Sequence, residues 1–258
     1  SIRIALAVAV SNSLEGDPVW MFLVGPPGSS KTETLNGFNE CRDVYITSSL
    51  TAHSLISGMN FRNGTDPSLI PRLHQKVLIL KDFTSILNLR DNEKDEIFGI
   101  LRDAYDGRCG KVFGNGVIRR YESRFGILAA VTPVIYSEGA KHASLGERFL
   151  KFTVADNLQH FSEDDIIAKA ISNVNVETSM REEISDAVQS FMQYEYKETP
   201  RIPPPILGKI IALAKFGARC RATVERDRYR PSMVEGKPSA EVGSRLGKQL
   251  AKLGMALA

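Results

Sequence analysis

Hydrophobic positions fall into two regimes along the chain. Up to about residue 158 they come as short unbroken runs, Val19–Val24, Val77–Leu80 and Phe125–Val131. Such runs, bounded by turn residues, predict strands buried on both faces, as in a parallel sheet covered by helices. Val44–Thr47 and Lys151–Val154 add two shorter strands. Helical spacing fills the gaps at Ile2–Leu14, Lys31–Phe38, Ala52–Ile56 and Asp91–Asp106, the last with a stripe of Ile97, Ile100, Leu101 and Ala104 closed by Gly107. Lys111–Phe113 and Val117–Tyr121 flank Gly114-Asn115-Gly116, which predicts a β-hairpin. From Ser162 onward strand signals vanish. Ser162-Glu163-Asp164-Asp165 is a helix start with acids in its first turn, and helices are expected near 163–174, 178–197, 205–228 and 239–257. The expected class is therefore α/β, a parallel sheet with flanking helices over residues 1–158 followed by a helical unit over 159–258.

The strand Val19–Val24 runs into Gly25-Pro26-Pro27-Gly28-Ser29-Ser30-Lys31-Thr32. A strand, a glycine-bearing loop and a following helix make the setting of a phosphate-binding loop. Backbone N–H groups of the loop and the positive end of the helix offer donors to phosphate oxygens. Lys31 neutralises β- and γ-phosphates in this reading, and the Thr32 hydroxyl goes to Mg²⁺. The usual pattern has a second glycine where this chain has Ser30. Serine fits there only if its backbone angles tolerate a Cβ or if Gly28 supplies the flexibility.

Asp82 stands at the end of the strand Val77–Leu80, at the sheet edge that carries the loop, where a carboxylate can hold Mg²⁺ or its water. An ordinary strand-end aspartate is the alternative. The strand ending at Val131 delivers Thr132 to the same edge. Composition permits this chemistry without adding to it: 43% hydrophobic and 24% charged residues are those of a soluble globular chain. A formal net charge of +3 allows a nucleic-acid partner without requiring one. Cys41, Cys109 and Cys220 have no metal-ligand spacing, so buried thiols in a reducing, cytoplasmic setting are expected. The apolar run Ile4–Val10 is too short to span a bilayer, and no membrane role is expected. The chain starts at Ser1 and stops in a helical pattern, which suggests a piece of a longer protein.

In this order the motifs resemble the AAA+ ATPases, and among them the minichromosome maintenance helicases and related bacterial and phage ATPases. The resemblance runs from about Leu6 to the C-terminal helices. It implies ATP and Mg²⁺ as cofactors, with Gly25, Pro26, Pro27, Gly28, Ser29, Ser30, Lys31 and Thr32 around the nucleotide and Thr32 and Asp82 on the metal. It further implies a catalytic set of Lys31, Asp82, Thr132 and Arg148. Ala129-Ala130-Val131-Thr132-Pro133 looks like the family's Ala-Ala-x-Asn-Pro, with Thr132 at the position that orients the attacking water. Leu145-Gly146-Glu147-Arg148-Phe149 looks like the box whose arginine reaches a neighbouring subunit's γ-phosphate; Arg124 is a weaker candidate. Lys81 stands where the family has its metal-binding aspartate, so hydrolysis is expected to be slow or differently assisted. The lid arginine falls to Arg201 or Arg219.

The resemblance also implies a homo-oligomeric ring, most simply a hexamer. Lys111, Arg119 and Arg120 on the hairpin suit sequence-independent contact with a DNA backbone, or belong to a solvated hairpin. Arg219, Arg221, Arg226, Arg228 and Arg230, interrupted by Glu225 and Asp227, read as a helical salt-bridge network or a second DNA face. Three functions follow in order: a DNA-dependent, helicase-like ATPase in replication; a remodeller acting on a protein partner, for which Phe113 and Tyr121 are candidates; and a nucleotide-dependent switch without turnover.

Overall fold

The computed structural model describes residues 1–59, 64–137, 148–154, 162–193, 200–221 and 241–257. Its strands are Trp20–Val24 (β1), Val44–Thr47 (β2), Val77–Leu80 (β3), Arg108–Val112 (β4), Ile118–Glu122 (β5), Gly126–Val131 (β6) and Phe149–Thr153 (β7). Five of them form a parallel sheet in the order β2-β3-β6-β1-β7, while β4 and β5 pair as an antiparallel ribbon. Helices are Ile2–Ser11 (α1), Lys31–Asn36 (α2), Ala52–Leu55 (α3), Thr84–Leu87 (α4), Asp91–Tyr105 (α5), Glu163–Asn173 (α6), Glu177–Met192 (α7), Pro204–Cys220 (α8) and Ser244–Leu257 (α9). The α/β class with a parallel sheet flanked by helices is as expected.

The unbroken apolar runs have a direct cause. Every residue of β1, β3 and β6 is buried, because helices cover both faces of the sheet. Alternation sends Trp20, Phe22 and Val24 to the layer holding α3, α4 and α5. Met21 and Leu23 go to the layer holding α1, α2 and side chains of α7, α8 and α9. In the first layer Trp20 donates its indole N–H to the Phe125 carbonyl at 2.8 Å, and Phe22 stacks on Phe149 with centroids 4.0 Å apart.

Connectivity builds a crevice. From β1 the chain crosses to the sheet edge at β2, steps back through β3 and β6, then passes over β1 to β7. The direction of crossover reverses at β1, and ligands in open α/β sheets bind beyond the carboxyl ends of the strands at such a reversal. The carboxyl ends of β3, β6 and β1 lie side by side there, with Leu80 opposite Ala129 and Val24 opposite Val131.

Beyond Ser162 the described segments are helical, but they behave differently. None of the residues of α6 is buried, so Ile166, Ile167 and Ile171 are exposed. In contrast, Leu246 and Leu253 of α9 join the cluster of α1 and β1. The expected unit boundary at 158/159 lies outside the described residues, and packing across it is continuous through α9. The first helix stops at Ser11 rather than Leu14, the first hairpin strand begins three residues earlier than expected, at Arg108, and the second is shifted by one position to Ile118–Glu122. Leu145, Gly146 and Glu147 of the arginine box lie outside the described residues, as do Glu225, Arg226, Asp227, Arg228 and Arg230. Among the described residues no helix is long and apolar enough to cross a membrane.

Candidate phosphate-binding site

The loop after β1 is tied to the sheet on both sides of the strand. The Gly25 N–H donates to the Val131 carbonyl at 3.2 Å, and the Val154 N–H donates to the Val24 carbonyl at 2.8 Å. A side chain at Gly25 would collide with Ser29, whose Oγ lies 2.6 Å from the point a Cβ would take. Gly28 has φ +78°, and Ser30 adopts the left-handed region too, at φ 58° and ψ 17°. Both answers to the missing second glycine therefore operate: Gly28 supplies one turn, and Ser30 accepts an angle that costs a non-glycine residue about 1 kcal/mol.

This geometry holds Lys31 in place. Its ammonium donates to the carbonyls of Gly25 and Pro26, both at 2.7 Å, and to the Ser29 Oγ at 3.0 Å. Ser29, itself buried, donates onward to the Pro26 carbonyl at 2.7 Å. Lys31 is only 8% exposed. Burial pulls its pKa below the usual lysine value, and the nearby Asp82 carboxylate opposes that pull. All three atoms that hold the ammonium are neutral oxygens, so its positive charge is not cancelled by the bonds that position it.

The neighbouring strand ends supply the opposite wall. Asp82 accepts the Thr84 N–H on Oδ1 at 2.9 Å, a turn that fixes the carboxylate at the end of β3. The Thr84 hydroxyl accepts the Thr132 N–H at 3.1 Å and bonds the Thr132 hydroxyl at 3.3 Å, joining the ends of β3 and β6. A cavity of about 380 Å³ is lined by Pro27 to Glu33, by Lys81, Asp82 and Thr84, and by Ala130, Val131 and Thr132. The structure thus brings together Lys31, Thr32, Asp82 and Thr132, which come from three parts of the sequence.

Two members of the site were not anticipated. Thr84 sits two residues past Asp82, a spacing in which an aspartate commonly caps a turn. Glu33 on α2 lines the cavity and pairs with Arg181 of α7 through two bonds, at 2.9 and 3.0 Å. Hydrogen bonding from Arg181 lowers the Glu33 pKa, with Lys81 adding a smaller pull. The i, i+4 pair of Glu177 and Arg181 was visible in the sequence, but its bridge to Glu33 spans 148 positions and was not. Neither Arg201 nor Arg219, both exposed, lines the cavity.

Arg148, expected to reach a neighbouring subunit's phosphate, does not line this chain's own cavity. Instead of reaching outward it is 7% exposed at the start of β7, paired to Asp106 at 2.8 Å and lying over the Tyr105 ring at 5.4 Å. Its carbonyl accepts a bond from the buried Gln249 of α9. A guanidinium so engaged must break an ion pair before it can meet a neighbouring molecule. Arg124 is exposed at the base of the hairpin, remote from the cavity lining.

The hairpin cations are also spent within the chain, in part. Lys111 pairs with Glu96 of α5 and lies over Phe113. Arg119 pairs with Asp66 at 3.6 Å and donates to the carbonyls of Ser57 and Met59. Arg120 is exposed, and so are Val112 at 72% and Ile118 at 58%, which face each other across the ribbon.

The donor set fits a polyphosphate better than it fits Mg²⁺. Two lysines and the hydroxyl residues Thr32, Thr84 and Thr132 line one cavity, which suits phosphate oxygens. For Mg²⁺, which takes oxygen ligands, Thr32 and Asp82 are present, yet one Asp82 oxygen already accepts the Thr84 N–H and Lys81 adds a cation to the lining. Among the described residues no group of three or more His, Cys, Asp or Glu could hold a metal ion. Neither a scan against protein-family models nor a search of curated proteins finds a match to this chain.

Proposed function

We propose that this chain is an ATP-binding P-loop protein of the AAA+ type that hydrolyses ATP. One observation carries the reading: the Lys31 ammonium is held by neutral oxygens at a cavity whose other walls are Asp82 and Thr132 from the two strands beside β1. In this reading Lys31 neutralises the transferred phosphate, and Thr132, braced by Thr84, orients the attacking water. Asp82 takes the proton-accepting role that one carboxylate can fill. Homo-oligomerisation into a ring, most simply a hexamer, and a cytoplasmic setting belong to the same proposal, in which Arg148 must leave its pair with Asp106 to serve a neighbour.

For the polymer acted on, a helicase-like DNA motor in replication rests on Arg120 and the mildly basic charge. A specific observation favours the second reading, a remodeller or switch acting on a protein: Lys111 and Arg119 are neutralised within the chain while the ribbon offers Val112 and Ile118 to its surroundings. Steady-state ATP hydrolysis with and without single-stranded and duplex DNA tests both. Activity lost in Lys31→Ala and stimulated by DNA supports the motor. Turnover blind to DNA supports the remodeller, and retention of full ATP binding by Lys31→Ala overturns the site.

A further inference from the structure

β3 alternates strictly: Val77 and Ile79 pack on the layer of α2, while Leu78 and Leu80 pack on the layer of α4 and α5. The ladder continues one step further, because the Lys81 N–H donates to the Thr47 carbonyl at 3.0 Å. Residue 81 is thereby turned toward α2, the helix of Thr32 and Glu33, and it lines the cavity with them. A carboxylate at this place would face the Thr32 hydroxyl and complete an oxygen set for a divalent cation. A lysine stands there instead.

The carboxylate oxygens left over are few. Asp82 and Glu33 bring four to the cavity lining, of which Asp82 Oδ1 accepts the Thr84 N–H and both Glu33 oxygens accept the Arg181 guanidinium, so three of the four are engaged. The cations are differently placed. Lys31 is held by neutral oxygens only, and Lys81 adds its charge on the facing wall. A divalent cation entering there meets two ammonium groups against one carboxylate, Asp82, not already paired to a cation, whereas a polyphosphate meets a net positive lining.

Taking the cavity as a polyphosphate site, as proposed above, we infer that Lys81 is a second phosphate-neutralising cation, and that the site holds a polyphosphate anion without a divalent cation. Lys81 supplies in the chain itself the charge compensation that a bound metal would bring.

Calorimetric titration of the whole chain with ATP and with inorganic tripolyphosphate, in EDTA and in Mg²⁺, tests this. The comparison includes Lys31→Ala, Lys81→Ala and Lys81→Asp, each checked by thermal melting for retained folding. The expected results are wild-type affinity that differs by less than about threefold between EDTA and Mg²⁺, and about tenfold or greater weakening in EDTA for Lys81→Ala. Lys81→Asp is expected to bind only when Mg²⁺ is present. Wild-type binding that collapses in EDTA, or Lys81→Ala binding as tightly as wild type, overturns the inference and leaves the phosphate site standing. Absence of binding under both conditions, or full affinity in Lys31→Ala, overturns the phosphate site and the inference with it.

Discussion

The carboxyl edge of the sheet and the β4–β5 ribbon both gather cations, and they use them in opposite ways. On the ribbon, Lys111 and Arg119 bond to Glu96 and Asp66, and their charge goes into holding the ribbon against the body of the chain. Around that contact the Tyr121 hydroxyl donates to Asp66 and bonds Ser68, and the Asn115 amide donates to the Gly58 carbonyl at 2.9 Å. At the sheet edge, Lys31 is bonded as firmly, but to oxygens without charge. Counting cations therefore says little about where an anion binds. The partner that positions each cation decides whether its field remains for a ligand.

This contrast can be broken at its strongest point first. Lys31→Ala is expected to weaken ATP binding by about 100-fold or more, near 2.7 kcal/mol, as read by titration with a non-hydrolysable analogue. Arg148→Ala comes next. Its guanidinium is buried while its partner Asp106 is exposed, so its removal is expected to lower stability by about 1–3 kcal/mol in urea unfolding, a loss that a surface arginine serving only a neighbour would not cause.

Tyr121→Phe removes a hydroxyl between Asp66 and Ser68 and is expected to cost about 1–2 kcal/mol, with faster amide exchange confined to the ribbon. The same network is sensitive to acid. Burial pushes the Asp66 pKa up, but hydrogen bonds from Tyr121 and Ser68 and the charge of Arg119 more than offset it, so the net shift is downward. A depressed carboxylate stabilises the fold above its unfolded value and loses that contribution as pH falls through the folded value. Ribbon protection should therefore fade below about pH 4, and should do so less in Asp66→Asn, which is already without the charge. The smallest effect is expected at Arg181→Ala: both partners of the Glu33 pair are half-exposed, so the loss of stability should be barely measurable and visible only in low salt.

What could be read from the sequence follows the same division. The strands β1, β3 and β6 were legible because burial on both faces leaves unbroken apolar runs, and the positions of Lys31, Asp82 and Thr132 followed from strand ends. The ribbon was legible from Gly114-Asn115-Gly116, but the fate of its cations was not. Asp66 lies 53 positions from Arg119, in a loop whose path no local pattern specifies. The ion pair of Arg148 is hidden from the sequence for a related reason. Its carboxylate partner Asp106 closes a helix 42 positions earlier, and only the pairing of β7 beside β1 brings the two together. The turn at Ile70–Leu73 and the short helix α4 also escaped notice, being too brief to show a period.

One late contact bears on how the chain acquires this structure. Lys252 of α9, buried, donates to the Asp17 carbonyl at 2.9 Å just ahead of β1, while Gln249 holds the Arg148 carbonyl just ahead of β7. Burial and the like charge of Arg124 bring the Lys252 pKa down to about 8. The helix that fastens the amino ends of these two neighbouring strands also packs on α1, more than 230 residues earlier in the chain. During synthesis, then, α1 and α2 cover part of the second layer early, while the share that α9 covers stays open until more than 230 residues beyond α1 have been made.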